Sequence, residues 1–283
     1  MSYAKRRVLI IRGDKVMKKR MRVIWLLCIV MMLALTGCGP ERERKDSSFQ
    51  KVRDKGELIL GFDDNYPPMG FTAADGSYTG FDIDMAKEVC KRLNLTLKLQ
   101  PIVWDEKEKD LEDGTIDCVW CGLSVNDERR ASMTLSGMYM DNEQIFVVNK
   151  GSSYKSVNDL EGKVVGTQSG SSTETTLKSA NNLPSFELIT EKEYIDLFQM
   201  MEDGKIDSVF IDSVLAYYYI AENNKQYYVL PAVFDTEGFA VGFRKGDESL
   251  RDEIQKTLSE MRADGTLAKI STEWFGTDVT TVQ

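Results

Sequence analysis

Short apolar runs alternate along the chain with longer segments whose apolar residues recur at helical spacing. ELILGF at 57–62 reads as a buried strand, and 63–80 as a loop punctuated by Pro67, Pro68, Gly70, Gly76 and Gly80. A helix is expected over 82–93, with Ile83, Ala86, Cys90 and Leu93 on one face and Lys87, Glu88, Lys91 and Arg92 on the other. A strand at 95–99, a charged helix at 105–112 and a strand at 116–120 follow. NEQIFVVN at 142–149 reads as a strand able to cross to a second lobe. That lobe opens with a strand at 163–167, a helix from Ser172 and a strand at 186–189. Tyr194, Leu197, Phe198 and Met201 line the next helix, before a strand at 206–210 and a helix at 213–221. FAVGF at 239–243 can carry the chain back, and helices at 250–261 and 267–274 close it. Helices alternating with short apolar strands indicate parallel α/β sheets.

LEDGTIDCVW at 111–120 returns as MEDGKIDSVF at 201–210, with six of ten positions identical. In each copy a helix ends, Gly114 or Gly204 stops it, and a strand enters a sheet. Two lobes joined by two crossings make a hinge with a cleft, and ligands of α/β sheets lie beyond the C-terminal ends of strands. The first copy is followed by Ser124, Arg129 and Arg130, the second by Asp212 and Ser213. A hydroxyl with cations on one side and a carboxylate on the other suit a zwitterion. Arg129 can clamp a carboxylate in a bidentate pair, although the pattern fits a solvent-facing arginine equally. Asp212 can accept from an ammonium, or simply cap the next helix. GTQSGSSTE at 166–174 follows a strand and opens a helix, where backbone N–H groups attract a small anion. It carries neither the P-loop nor the dinucleotide pattern. Phe62, Tyr66 and Trp104 are candidate aromatic walls, with Trp104 equally at home in a core.

Met17 opens a second candidate start, with Lys18, Lys19, Arg20 and Arg22 ahead of an apolar run of thirteen residues at 23–35. That run is short for a membrane span and reads as an export signal. It ends in Leu35-Thr36-Gly37-Cys38, which resembles a bacterial lipobox and implies cleavage before Cys38 and acylation of its sulfur. Removal of 1–37 takes nine basic residues and one acidic residue from 36 and 45, leaving 27 and 44 and a net charge of −17. A chain so acidic, with no basic stripe, excludes nucleic acid as a partner. The remainder, after a polar tether at 40–48, suffices for two lobes of roughly a hundred residues each. There is no histidine, which removes histidine triads and the common zinc motifs. Cys118 and Cys121 lie three apart in a strand and point to opposite faces, and two cysteines are too few for structural zinc. Cys90 reads as core. No metal and no cofactor are expected.

With these pieces in place, GFDIDMAKEVCKRL at 80–93 and MRADGTLAKISTEWFG at 261–276 resemble signatures of the polar amino acid-binding lipoproteins of ABC importers, bacterial extracellular solute-binding protein family 3. This group includes the histidine, lysine–arginine–ornithine and glutamine binding proteins. The likeness runs from Gly56 to Phe275. It implies a type II periplasmic-binding-protein fold, two βα lobes joined by two crossing strands with a ligand cleft between them. It also implies that Arg129, Ser124 and Ser172 hold a ligand carboxylate and that Asp212 accepts its ammonium. By the same resemblance Tyr66 stacks on the ligand side chain, Asp63 contacts a basic one, and Trp104 lies near another wall. Gly122 stands where some relatives have a serine and leaves only its carbonyl for the ammonium. Cys121 stands where asparagine is common.

The expectation is therefore a lipid-anchored monomer on the extracytoplasmic face of the cell membrane, binding a free L-amino acid and delivering it to an ABC permease, with no catalysis. The expected division is signal 1–37, anchor and tether 38–49, first lobe 50–144 with 242–283, and second lobe 145–241. A basic ligand, favoured by Asp63, and a neutral polar one such as glutamine or cystine both remain open, with Asp64 and Glu237 expected toward solvent. The alternatives are an amino acid sensor and, more remotely, a dehydratase on the same fold.

Overall fold

The computed structural model describes residues 46–222, 227–231 and 236–283. The signal, the alternative start at Met17 and the lipidation residue Cys38 lie outside the described residues. Residues 46–283 form one compact unit.

The strands are β1 (Glu57–Phe62), β2 (Asn65–Tyr66), β3 (Gly70–Thr72), β4 (Tyr78–Thr79), β5 (Thr96–Pro101), β6 (Cys118–Ser124), β7 (Met133–Leu135) and β8 (Met140–Asn142). After them come β9 (Gln144–Asn149), β10 (Val164–Gln168), β11 (Glu187–Glu191), β12 (Ser208–Asp212), β13 (Tyr227–Val229) and β14 (Glu237–Arg244). The first sheet has the order β5-β1-β6-β14-β7, with β8 also on β14, and the second has β11-β10-β12-β9-β13. In each, the leading strands pair in parallel and a strand next to a crossing joins antiparallel. The second sheet is covered on both faces, because Val209 and Ile211 of β12 enter the large core while Phe210 enters a second cluster with Phe146 and Val165.

The helix Phe81–Leu93 has the predicted buried face and ends at Asn94, whose φ is 54°. Its Asp82 and Asp84 sit in the first turn, where the helix dipole favours negative charge. Cys90, Cys118 and Cys121 are buried free thiols.

Several boundaries differ from expectation. A helix at Ser48–Lys55 replaces the end of the tether. It is too short and polar for periodicity to reveal, and it is pinned by contact with the distant helix Glu248–Ala263, where Ser48 Oγ lies 3.0 Å from Ser249 Oγ. The 63–80 loop contains the small meander β2–β3–β4. The charged helix is a 3-10 turn, Trp104–Glu106, followed by Lys107–Asp113. The strand after the first repeat continues to Ser124. The chain passes between sheets at Glu143, between β8 and β9, but β14 belongs to the first sheet throughout. The return crossing therefore precedes Glu237 and does not fall within 239–243.

Candidate functional site

β6 ends at Ser124 and β12 at Asp212, and the two ends meet. Just beyond β6, the Asn126 side chain caps the helix Asp127–Ser132 by accepting the Arg129 N–H at 2.8 Å. That cap sets the helical phase. Arg129 turns inward, 4 % exposed, while Arg130 stays outside. Arg129 Nη1 donates to Ser124 O at 2.7 Å, and Nη2 reaches toward Gly170 O at 3.5 Å. The guanidinium lies 5.9 Å from the centre of the buried Trp104 ring. Burial lowers the arginine's pKa, and the charges of Glu108, Glu237 and Asp212 oppose that shift.

Gly170 and the start of the helix Ser172–Ser179 come from the second sheet's side. Ser172 Oγ donates to Ser124 Oγ at 3.0 Å and accepts from Gln144 Nε2 at 3.0 Å. Lys107, nearly buried, donates to Trp104 O at 3.1 Å and to Gly170 O at 2.8 Å. Two cations rooted on the first sheet's side thus converge on one carbonyl of the other. A cavity of about 440 Å³ opens beside them, lined in part by Asp105, Asn126, Arg129, Ser171 and Glu174.

At the other end, Asp212 is 5 % exposed. Its Oδ2 accepts from the Tyr66 hydroxyl and its Oδ1 from Asn142 Nδ2 at 2.7 Å. Burial, and then the charge of Glu237, raise its pKa to about 8. Tyr66 is buried, its ring centre 6.2 Å from that of Tyr194. Gly122 has a φ of +55°, and a Cβ there would come 2.8 Å from Tyr66 Cε1, so the tyrosine's seat requires glycine. The Gly122 N–H donates to Asp82 Oδ2 at 2.8 Å, and Tyr139 donates to the same oxygen at 2.7 Å. Burial raises the Asp82 carboxyl to about 7.

Asp63 is also buried. It accepts from Asn65 N at 2.9 Å and, across the site, from Gln168 Nε2 at 2.6 Å. Burial raises its pKa. Cys121 Sγ donates to Asp63 O at 3.5 Å, which puts the thiol beside this end of the site.

The structure thus brings Arg129, Ser124, Ser172, Tyr66, Asp212, Gly122, Asp63 and Trp104 to one polar region. Sequence reasoning missed Asn142, Gln144, Asp82 and Lys107, and it placed Glu237 toward solvent. Glu237 is half-buried with its carboxylate turned in, Oε1 accepting from Ser124 Oγ and from Asn142 Nδ2 at 2.9 Å, and Oε2 from Gln144 Nε2 at 3.0 Å. The available signal was position, since polar residues at the mouths of apolar crossing strands flank both passages. The described residues hold no cluster suited to a metal ion.

Two sheets that trade strands at a double crossing, and meet over buried donors and acceptors, define a two-lobed solute-binding protein of the type II periplasmic-binding-protein fold. The chain belongs to the bacterial extracellular solute-binding proteins, family 3, whose model matches residues 58–277. It is 29 % identical to the L-cystine-binding protein TcyJ of Escherichia coli over 90 % of this chain and 96 % of that one. It is 30 % identical to the arginine-binding extracellular protein ArtP of Bacillus subtilis over 89 % and 97 %. A histidine-bound ABC uptake transporter substrate-binding protein from Streptococcus pneumoniae superposes with a TM-score of 0.78 at 37 % identity, covering 84 % of this chain and 99 % of that one. The chain is thus a solute-binding protein of this family.

Proposed function

We propose that the protein binds one free L-amino acid as a zwitterion between its lobes and delivers it to an ABC permease. The observation that carries this reading is that Arg129 and Asp212, far apart in sequence, are both buried and face one hydrogen-bonded set. Arg129, Ser124 and Ser172 take the carboxylate. Asp212 and the Gly122 carbonyl take the ammonium. Tyr66, Trp104 and Asp63 line the side-chain end. The lobes are residues 46–142 with 237–283, and 144–231. Ligand contacts made only with the lobes together shift the population toward closure. The side chain is polar or basic, a class supported by the buried Asp63 carboxylate and by relatives named for cystine, arginine and histidine. The chain acts as a monomer held by a lipid on Cys38 at the extracytoplasmic face of the membrane.

Calorimetric titration of residues 46–283, freed of carried-over ligand, against the twenty L-amino acids and cystine tests the reading. Micromolar or tighter binding of one or a few is expected, lost in Arg129→Ala and Asp212→Ala. A folded sample that binds none of them refutes it.

A further inference from the structure

The two passages between lobes meet at a pair of carboxylates. Glu237 is the first residue of β14, Asn142 the last of β8 and Gln144 the first of β9. Asn142 Nδ2 donates to Asp212 Oδ1 at 2.7 Å and to Glu237 Oε1 at 2.9 Å, so those oxygens lie within the sum of the two distances, 5.6 Å. One ammonium has three donors and reaches both at ordinary hydrogen-bond length. Among the described residues neither carboxylate forms an ion pair with a lysine or arginine. Amide and hydroxyl donors alone hold them. Like charges this close disfavour ionisation unless a cation joins them.

We propose that Glu237 is a second carboxylate of the ammonium seat, and that a ligand ammonium replaces the Asn142 amide between Glu237 and Asp212. This rests on the amino acid reading above. Gln144 keeps hold of Glu237 Oε2, so the carboxylate stays aimed at the seat when Ser124 Oγ turns from Glu237 to the ligand carboxylate. A seat with two acceptors rejects an acid lacking the ammonium more strongly than a seat with one, because both carboxylates are then left without a cation.

The test uses Glu237→Gln and Glu237→Ala in residues 46–283. Each is titrated with whichever of the twenty L-amino acids or L-cystine the unaltered protein binds most tightly, and with the same compound bearing hydrogen in place of the α-ammonium. Melting temperature checks folding. Both variants are expected to weaken amino acid binding about ten-fold or more while leaving binding of the des-amino compound unchanged or stronger. Equal losses on the two compounds, which a purely structural role would give, overturn the proposal. So does amino acid affinity within two-fold of the unaltered protein. If the folded, unaltered protein binds none of the amino acids, the amino acid reading itself falls, and this inference with it.

Discussion

In the proposed ammonium seat, Asp212 links ligand binding to pH. With its pKa raised to about 8, first by burial and then by the Glu237 charge, the carboxyl of the ligand-free protein is largely protonated at pH 7. An ammonium docking against it stabilises the ionised form and returns the pKa toward the ordinary carboxylate range. The sign follows. The bound state holds fewer protons than the free one, so binding strengthens as pH rises to about 8 and weakens as pH falls below it. Each unit below 8 costs about 1.4 kcal/mol, a factor of about ten. Because half the carboxyl is already ionised at pH 8, the expected weakening from pH 8 to pH 6 is about fifty-fold. Titration calorimetry in buffers of different ionisation enthalpy reads the protons directly. Close to one proton should leave on binding at pH 6 and about half a proton at pH 8. Asp212→Asn should remove both the pH slope and the proton release along with much of the affinity. Affinity that is flat between pH 6 and pH 8, with no proton released by the unaltered protein, refutes the ammonium–Asp212 pairing.

Gly122→Ala forces an L-residue to a φ of +55° and pushes a methyl against Tyr66. A loss of about 1–2 kcal/mol is expected, read as a melting temperature lower by about 2 to 8 °C together with weaker binding. Gly170→Ala puts a Cβ 2.5 Å from Asp105 Oδ1 and 2.7 Å from its Cα, a clash across the two lobes. It should weaken ligand affinity by about ten-fold or more and reduce the ligand-induced contraction seen by X-ray scattering, and affinity within two-fold would contradict the closure role. Cys38→Ser in the full-length chain should release the protein from the membrane fraction into the medium, whereas unchanged retention would rule out the lipid anchor.

The sequence carried the fold further than it carried the site. Local rules sufficed for Phe81–Leu93, whose apolar stripe and exposed charges lie within thirteen residues. They failed where a partner far along the chain decides. β6 runs on through Gly122 and Ser124, past the strand end expected at Trp120, because Leu123 pairs with Ala240 and Ser124 with Phe239. Glu237 looked solvent-facing because its partners, Ser124, Asn142 and Gln144, stand about a hundred residues away. Arg129 and Arg130 are chemically alike, and only the Asn126 cap at the third position before Arg129 selects the one that turns in. That cap was present in the sequence and could have been read.

The repeated decapeptide has a physical basis in matched positions of the two sheets. β6 lies beside β1 as β12 lies beside β10, with Gly61 opposite Val119 and Gly166 opposite Val209. Those glycines make room for the repeat's isoleucine. A Cβ on Gly61 would come 2.5 Å from Ile116 Cδ1, and one on Gly166 would come 2.9 Å from Ile206 Cδ1. The repeated aspartate does one job twice. Asp117 Oδ2 accepts from Ile59 N at 2.8 Å and Asp207 Oδ2 from Val164 N at 2.9 Å, while their own N–H groups return bonds to the carbonyls of the same residues at 2.8 and 2.9 Å. Gly114 and Gly204, at φ of +75° and +71°, let the chain leave each helix for its strand. The shared letters therefore specify how a strand is seated, and each seated strand ends at the cleft. The proposed ligand contacts lie in the letters that differ beyond them, Ser124 with Arg129 after one copy and Asp212 at the end of the other. Exchanging the seating residues between copies should leave ligand preference unchanged, whereas altering the residues that follow should abolish binding.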